Sequence, residues 1–324
     1  MTEPATPSAR PTPAVDASVV IPVYGGARTL PKLLEQIVEV RQRSGLAIEV
    51  LMICDRPRDD SWEVASALVE RHPDTRAVLL MRNFGQHPAT LLGIREARGD
   101  VVVTMDEDLQ HSPADIPAMV AAARECRGIV YGKATALRHS WWRNASSRLV
   151  KWFLSRYIGI DHAGDLSAFR AFAVELREAF AHYRSERVAI DVLLSWSGAP
   201  IRIYPCQHAP REEGESGYTF RKLFAYMMDL LLGFSIAPLR ISSMIGLSAV
   251  ALSIAIALFV VIRWIIEGST VPGFAFLALT LSTFAGIQLL ALGVIGEYLG
   301  RLYFNNLGRP QYLVREVRGD ITRE

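Results

Sequence analysis

Three carboxylates follow directly on an apolar run in the stretch VVVTMDEDLQHSP, residues 101–113. Asp106 and Asp108 are two residues apart, so in an extended chain their side chains point to the same side and can reach one divalent cation. Mg²⁺ or Mn²⁺ held by carboxylates usually completes its coordination with substrate phosphates. The pair therefore predicts a metal-bound diphosphate ligand, although such a pair also occurs by chance in solvated acidic loops.

The elements that would position this pair are predicted by an alternation of apolar runs and amphipathic stretches over residues 18–205. SVVIPV, IEVLMI, AVLLM, VVVTM and GIVY are typical of strands that are covered on both faces. Helical spacing begins at Leu30, behind Thr29, and again at Ser61. The predicted fold class is α/β, with a doubly wound, mostly parallel sheet. Ligands of such sheets bind outside the carboxyl ends of the strands, where the acidic pair lies.

Several function classes are excluded by missing motifs and by the charge balance. No GxGxxG follows the first strand and no GxxxxGK[ST] occurs, which argues against a nicotinamide dehydrogenase and a P-loop NTPase. The net charge of +2 gives no reason to expect nucleic-acid binding. Cys54, Cys126 and Cys206 lie far apart, as reduced thiols do, and predict neither a disulfide framework nor a zinc site. A nucleotide-sugar enzyme remains.

Two uncharged apolar runs, residues 241–262 and 269–296, are each long enough to cross a bilayer. Soluble core helices are the alternative, but these seldom lack charge on every face. Arginine and lysine cluster before the first run and after the second, so the positive-inside rule puts both termini and the N-terminal domain in the cytoplasm. The sequence thus predicts a multi-pass protein of the inner membrane, and two spans per subunit are compatible with a homo-oligomer.

A family resemblance is carried by six motifs in order: SVVIPVY, RNFGQHPA, MDEDLQHSPADIP, GDLSAFRAF, HAPREEGESGYTF and GEYLGRLYFNNLGRPQYLV. Together they resemble the inverting family-2 glycosyltransferases that load a sugar onto a polyprenyl phosphate. These include undecaprenyl-phosphate aminoarabinose transferases, bactoprenol glucosyltransferases and, more distantly, dolichol-phosphate mannose synthases. The resemblance implies a GT-A-like nucleotide-sugar fold. It also implies that an undecaprenyl or decaprenyl phosphate attacks the sugar C1 of a nucleotide-diphosphate sugar and releases the nucleotide diphosphate.

Composition, hydropathy and the resemblance together predict five segments. These are a flexible N-terminal tail (1–17), a cytoplasmic glycosyltransferase domain (18–218), a juxtamembrane amphipathic helix (219–237), a two-helix transmembrane hairpin (238–298) and a cytoplasmic C-terminal tail (299–324). The tail at the N-terminus lacks the apolar segment of a signal peptide.

The resemblance also implies roles for individual residues. Asp106 and Asp108 hold the metal (Mg²⁺ or Mn²⁺) and diphosphate, and Asp165 matches the family's candidate base, with Asp161 close enough to be confused with it. A phosphate monoester has a second pKa near 6, so the acceptor is largely its own nucleophile and Asp165 need not remove a proton. The other implied residues fall in two sets. The donor is contacted by Pro22, Tyr24, Asp55, Asp106 and Gln86, and catalysis or the acceptor phosphate involves Asp108, Arg211, Arg170, Arg138, Arg143, Ser216 and Tyr218.

The sequence departs from the family in the segments that should contact the nucleotide. Relatives commonly carry Tyr-Asn-Glu after the first strand, where this chain has Tyr24, Gly25 and Gly26, and Asp-Asp-Gly-Ser after the second, where it has CDRPRDD. The nucleobase and the sugar therefore stay open. Two alternatives also stay open: a processive polysaccharide synthase, which would be expected to carry a QxxRW segment and more spans, and a catalytically silent membrane scaffold.

Overall fold

The structure is a computed structural model that describes residues 15–134, 166–185, 187–206, 235, 237–267 and 273–319. The chain divides into two compact units. The first holds the sheet, including the residues after Arg309, and the second holds two long apolar helices.

Four parallel strands form the half of the sheet that carries the predicted site. They lie in the order β4–β1–β2–β3, so their carboxyl ends share one edge. Each corresponds to an apolar run of the sequence, and nearly every residue in them is buried, because helices cover both faces. Their bounds are β1 Ala17–Val23, β2 Ile48–Cys54, β3 Thr75–Leu80 and β4 Val101–Thr104.

The remaining strands do not all run parallel to these four. β6 is antiparallel to both β4 and β5, and β5 is parallel to β7, which gives the order β7–β5–β6–β4–β1–β2–β3–β8 among the described strands. The short β6 was not predicted from the sequence. The bounds are β5 Ile129–Ala134, β6 Arg170–Ala173, β7 Ile201–Cys206 and β8 Val314–Arg318.

Helices cover the sheet on two sides, as the doubly wound prediction requires. Apolar side chains of α1, α2 and α4 join the core on one face, and those of α3 and α5 join the core on the other. Burial of these apolar faces supplies most of the stabilisation of such a layered domain. The bounds are α1 Leu30–Ser44, α2 Ser61–Arg71, α3 Gln86–Glu96, α4 Ile116–Cys126 and α5 Ile190–Ser195, with 3₁₀ turns at Pro113–Asp115 and Val174–Phe180.

The C-terminal segment differs from the predicted tail at residues 299–324. β8 pairs antiparallel with β3 and closes that edge of the sheet. Arg95 of α3 donates a hydrogen bond to Oε1 of Gln311 at 2.9 Å, just ahead of this strand. After the apolar helices the chain therefore rejoins the sheet domain, to which β8 belongs.

The second unit contains α6, Ala237–Glu267, and α7, Phe274–Asn306, which contact each other. The segments Pro238–Ile266 and Thr283–Asn306 have mean hydropathies of 2.8 and 1.3 and are almost wholly exposed, so both helices are long and apolar enough to cross a membrane. α7 extends beyond residue 298, where the predicted hairpin ends. Most of the predicted helix at 219–237 lies outside the described residues.

Candidate functional site

The carboxyl ends of the parallel strands enclose a cavity of about 790 Å³, within the size range of small-molecule sites. Four connecting segments line it, following β1, β2, β3 and β4 respectively. Among the described lining residues, the charged side chains are six carboxylates and a single arginine. These are Asp55, Asp59, Asp60, Asp106, Glu107, Asp108 and Arg28.

Asp106 and Asp108 both line this cavity, but not on an extended strand. β4 ends at Thr104, and the acidic residues form a turn that continues into Leu109, whose φ of 60° lies in the left-handed region. The two carboxylates thus lie on the segment after the strand and not on the strand itself. The turn nevertheless brings both side chains to the cavity.

Gln86 orients one of these carboxylates. Its Nε2 donates a hydrogen bond of 2.6 Å to Oδ1 of Asp106 across the gap between the β3 and β4 segments. Asp108 accepts a local bond of 3.2 Å from the backbone N–H of Gln110. A carboxylate has two oxygens and about four lone-pair sites, so a hydrogen bond of this kind does not by itself prevent it from binding a cation.

Asp55 holds the segment that carries Gln86. Its two oxygens accept hydrogen bonds of 2.7 Å each from the backbone N–H groups of Phe84 and Gly85. The side chain is 3% exposed, and burial raises the pKa of its carboxyl although the two bonds oppose that shift. Asp55 therefore fixes the start of α3, which in turn places the Gln86 amide against Asp106.

Glu107 lies between the β4 turn and the segment after β1, and the sequence analysis gave it no role of its own. Its carboxylate accepts a hydrogen bond from the backbone N–H of Gly25 at 3.0 Å and bonds of 3.2 Å from that of Tyr24. Burial raises the pKa of this carboxyl, and the two backbone donors oppose the shift. The carboxylate thus joins two of the four segments that line the cavity.

The altered CDRPRDD segment also contributes to the cavity wall. Oδ1 of Asp59 accepts a bond of 2.5 Å from the Ser61 hydroxyl, and Oδ2 accepts one of 3.3 Å from the backbone N–H of Ala27. Pro22 and Tyr24, which were predicted to contact the donor, line the same cavity. Asp59 and Asp60 were not singled out as site residues, although they lie in the same segment after β2 as Asp55, which was a usable signal.

Arg170 lies outside this cavity lining, in a buried network behind it. Its guanidinium forms an ion pair with Asp191 and donates from Nε to the Thr104 hydroxyl at 3.1 Å, while the Tyr131 hydroxyl donates to Asp191 at 2.9 Å. Arg170 is only 4% exposed. An acceptor phosphate would have to compete with Asp191 for this cation, so we leave Arg170 out of the acceptor site proposed below.

The remaining predicted site residues cannot be placed. Asp165 and its alternative Asp161, Arg211, Arg138, Arg143, Ser216 and Tyr218 lie outside the described residues. The described part of the site is accordingly the wall that would receive a nucleotide and a metal.

The carboxylates of this wall suit a divalent cation that takes only some of its ligands from the protein. Among the described residues no group of three or more His, Cys, Asp or Glu side chains converges on a metal position. Asp106 and Asp108 can supply two carboxylates, which suits Mg²⁺ or Mn²⁺ because these ions commonly take their other ligands from water and substrate phosphates.

A mostly parallel α/β sheet with a cavity outside the carboxyl ends of its strands is the arrangement in which proteins of this class bind their ligands. The model of the family described as Glycosyl transferase family 2 matches residues 18–183, and the chain belongs to this family. The family and the glycosyltransferase class predicted from the sequence are thereby confirmed.

The curated relatives include two proteins named undecaprenyl-phosphate 4-deoxy-4-formamido-L-arabinose transferase. The protein from Pseudomonas paraeruginosa (strain DSM 24068 / PA7) is 34% identical over 95% of this chain and 92% of its own length. The protein from Serratia proteamaculans (strain 568) is 33% identical over 96% of each chain. The similarity thus extends through the two apolar helices and the C-terminal strand.

Solved structures with a similar fold include S. aureus TarS 1-349 in complex with UDP-GlcNAc, which is 17% identical over 67% of this chain and 66% of that one, with a TM-score of 0.47. Glucosyl-3-phosphoglycerate synthase from Mycobacterium tuberculosis, solved with Mn²⁺ and UDP, is 17% identical over 68% of this chain and 78% of that one, with a TM-score of 0.49. Likeness at this level carries no argument about ligands.

Proposed function

We propose that the protein transfers a sugar from a nucleotide-diphosphate sugar to undecaprenyl phosphate or a similar polyprenyl phosphate. The observation that carries the proposal is an acidic cavity at the carboxyl edge of the sheet, in a chain that matches named undecaprenyl-phosphate sugar transferases over nearly its whole length. The products are a polyprenyl-phosphate sugar with inverted configuration at C1 of the sugar and a free nucleotide diphosphate.

Asp106 and Asp108 are the proposed ligands of Mg²⁺ or Mn²⁺, and Pro22, Tyr24 and Gln86 are proposed to border the donor. Gln86 keeps Asp106 oriented through the 2.6 Å hydrogen bond. A bound divalent ion stabilises negative charge that develops on the leaving diphosphate. The six lining carboxylates would otherwise repel that diphosphate, which explains why the wall needs a cation.

Asp165 and Arg211 are the proposed catalytic residues beyond the described wall. If Asp165 removes a proton, Asp165→Asn should lower turnover by about 10²- to 10⁴-fold. A loss of only a few-fold would reduce it to an orienting carboxylate, because the acceptor phosphate is already largely ionised. Arg211, with Ser216 and Tyr218 near it in sequence, is proposed to bind the acceptor phosphate, and Arg138 and Arg143 are proposed to lie nearby.

The two apolar helices are proposed to anchor the protein in the inner membrane, with both termini and the sheet domain on the cytoplasmic side. A polyprenyl acceptor is itself embedded in the bilayer, so this arrangement would bring the transferase to its substrate. Cysteine accessibility labelling at both termini in intact cells tests the orientation. Labelling of either terminus from the outside would contradict it.

The proposed function is tested by release of nucleotide diphosphate from the full-length protein in detergent. A panel of nucleotide sugars is supplied with Mg²⁺ or Mn²⁺, with and without undecaprenyl phosphate, and Asp108→Asn is compared with the wild type. Release that requires the lipid, the metal and Asp108 would support the transferase and identify its donor. Folded protein that releases nothing with any donor would contradict the proposal and favour the silent scaffold.

A further inference from the structure

Glu107 is the middle carboxylate of the acidic stretch, between the two predicted metal ligands, and its hydrogen bonds run to the segment that follows β1. Its oxygens accept the backbone N–H groups of Gly25 and Tyr24 in the segment that follows β1. The β4 turn and the β1 segment are 82 residues apart in sequence, so this contact joins two otherwise separate walls of the cavity.

Gly26 leaves the space that the Glu107 side chain occupies. A Cβ atom added to Gly26 would overlap Oε2 of Glu107 and would lie 3.1 Å from Cγ of Leu30. The neighbouring Gly25 is different, because a Cβ added there would meet no atom within 4 Å. The two adjacent glycines thus differ: a side chain at Gly26 would displace Glu107, whereas one at Gly25 would not.

The position of Glu107 also has an electrostatic cost. It adds a carboxylate to a wall where Asp106 and Asp59 already oppose its ionisation. A carboxylate in such a place needs a compensating gain, which the two backbone donors and the closure of the cavity wall can supply. Neither interaction requires Glu107 to bind the metal.

We infer that Glu107 is a positioning residue of the donor site, which clamps the Tyr24–Gly26 segment against the acidic turn and so sets the width of the nucleotide-binding cavity. The inference rests on the proposed function, since it concerns the same cavity. It names a determinant of donor binding in the segment that follows β1.

The test compares variants of the full-length protein in detergent: Glu107→Ala, Gly26→Ala, the double variant, and, as the matched control, Glu35→Ala, which removes an exposed glutamate of α1. Calorimetry measures binding of UDP and GDP with Mn²⁺, and melting temperature reports folding. Glu107→Ala and Gly26→Ala should each weaken nucleotide binding by about 10- to 100-fold, the loss typical of residues that orient metal ligands from behind. Glu35→Ala should bind as the wild type does.

The double variant decides whether Gly26 acts through Glu107. Since Gly26→Ala is expected to work by displacing that carboxylate, it should have several-fold less effect in the Glu107→Ala background than in the wild type. Once a donor has been identified, the single variants should raise its KM and leave kcat within a few-fold. Glu107→Gln, which keeps one acceptor oxygen, should fall between the wild type and Glu107→Ala.

The failures of the two proposals can be told apart. If the wild type binds UDP or GDP but both single variants bind equally well, the clamp is overturned and the proposed function stands. Effects that multiply independently in the double variant, or a lower melting temperature with unchanged binding, would likewise overturn it. A wild type that binds no nucleotide with metal would overturn the proposed function and, with it, this inference.

Discussion

Carboxylates at the two ends of the parallel strands differ in what surrounds them. At the amino end, Glu49 of β2 is 5% exposed and accepts hydrogen bonds from the Ser18 hydroxyl (2.5 Å), the Arg98 backbone N–H (2.7 Å) and the Arg76 guanidinium (2.6 Å). At the carboxyl end, six carboxylates line a cavity whose described wall includes one arginine. The amino end supplies a cation from the chain, whereas the carboxyl end is arranged to receive one.

This difference separates structural from functional charge within a single sheet. A buried charge that is paired and hydrogen-bonded inside the chain is costly to disrupt and contributes nothing to ligand binding. A cluster of like charges at a cavity reduces stability and is retained where a ligand compensates it. Substitutions at the two ends should therefore change different observables.

The largest effect is expected for Asp106→Asn, which removes one proposed metal ligand at the carboxyl end. Metal-dependent release of nucleotide diphosphate should fall to background, a greater loss than the about 10- to 100-fold caused by residues behind a metal ligand. Asp100→Asn is the matched control, because Asp100 precedes β4 whereas Asp106 follows it. Unchanged release by Asp106→Asn, measured beside that control, would show that Asp106 is not a required metal ligand.

Glu49→Ala should produce the converse result at the amino end. It leaves the Arg76 guanidinium, whose side chain is 5% exposed, buried without its carboxylate. Removing one partner of a buried pair typically costs about 3–5 kcal/mol, so chemical denaturation should show that loss. Nucleotide binding by the fraction that stays folded should match the wild type, and weakened binding would show that the two ends are coupled.

Gln86→Ala should have a smaller effect, confined to the carboxyl end. It deletes the amide that orients Asp106, so metal affinity should fall by about 10- to 100-fold, as is usual when a residue behind a metal ligand is lost. Titration with Mn²⁺ in the presence of nucleotide measures this. Gln36→Ala, on the half-buried surface of α1, serves as the control. Equal metal affinities in the two variants would show that the Gln86 contact does not contribute to metal binding.

Much of the fold was predictable because its signals are local. Continuous apolar runs identified β1 to β5, and helical spacing identified α1 and α2. β6, β7 and β8 were not predicted, because their assignment depends on pairing with distant strands. The alternating sequence VREVR of β8 is compatible with an edge strand, but it gives no indication that its partner is β3, more than 230 residues earlier.

The site was predictable to the extent that each strand end could be identified. Asp106, Asp108, Asp55, Tyr24 and Gln86 line one cavity, and their roles there stay predictions. Their precise contacts were not predictable, because they depend on side chains that meet across segments. Asp55 is held by backbone donors after β3, and Glu107 occupies the space left by Gly26. The two adjacent glycines after β1 were the one signal for the latter contact.

The smallest expected effect concerns His87, which follows Gln86 at the start of α3. Burial and the nearby Arg170 lower the pKa of His87 below its usual 6.5, although Asp191 opposes that shift. A histidine that is held neutral in the folded state contributes stability above the pKa it has when unfolded, and this contribution is lost as the pH falls below about 6.5. Melting temperatures of His87→Gln should therefore decline less than those of the wild type between pH 7 and pH 5.5. Equal slopes in the two proteins would mean that His87 is solvated, and that the buried network behind the cavity ends at Arg170 and Asp191.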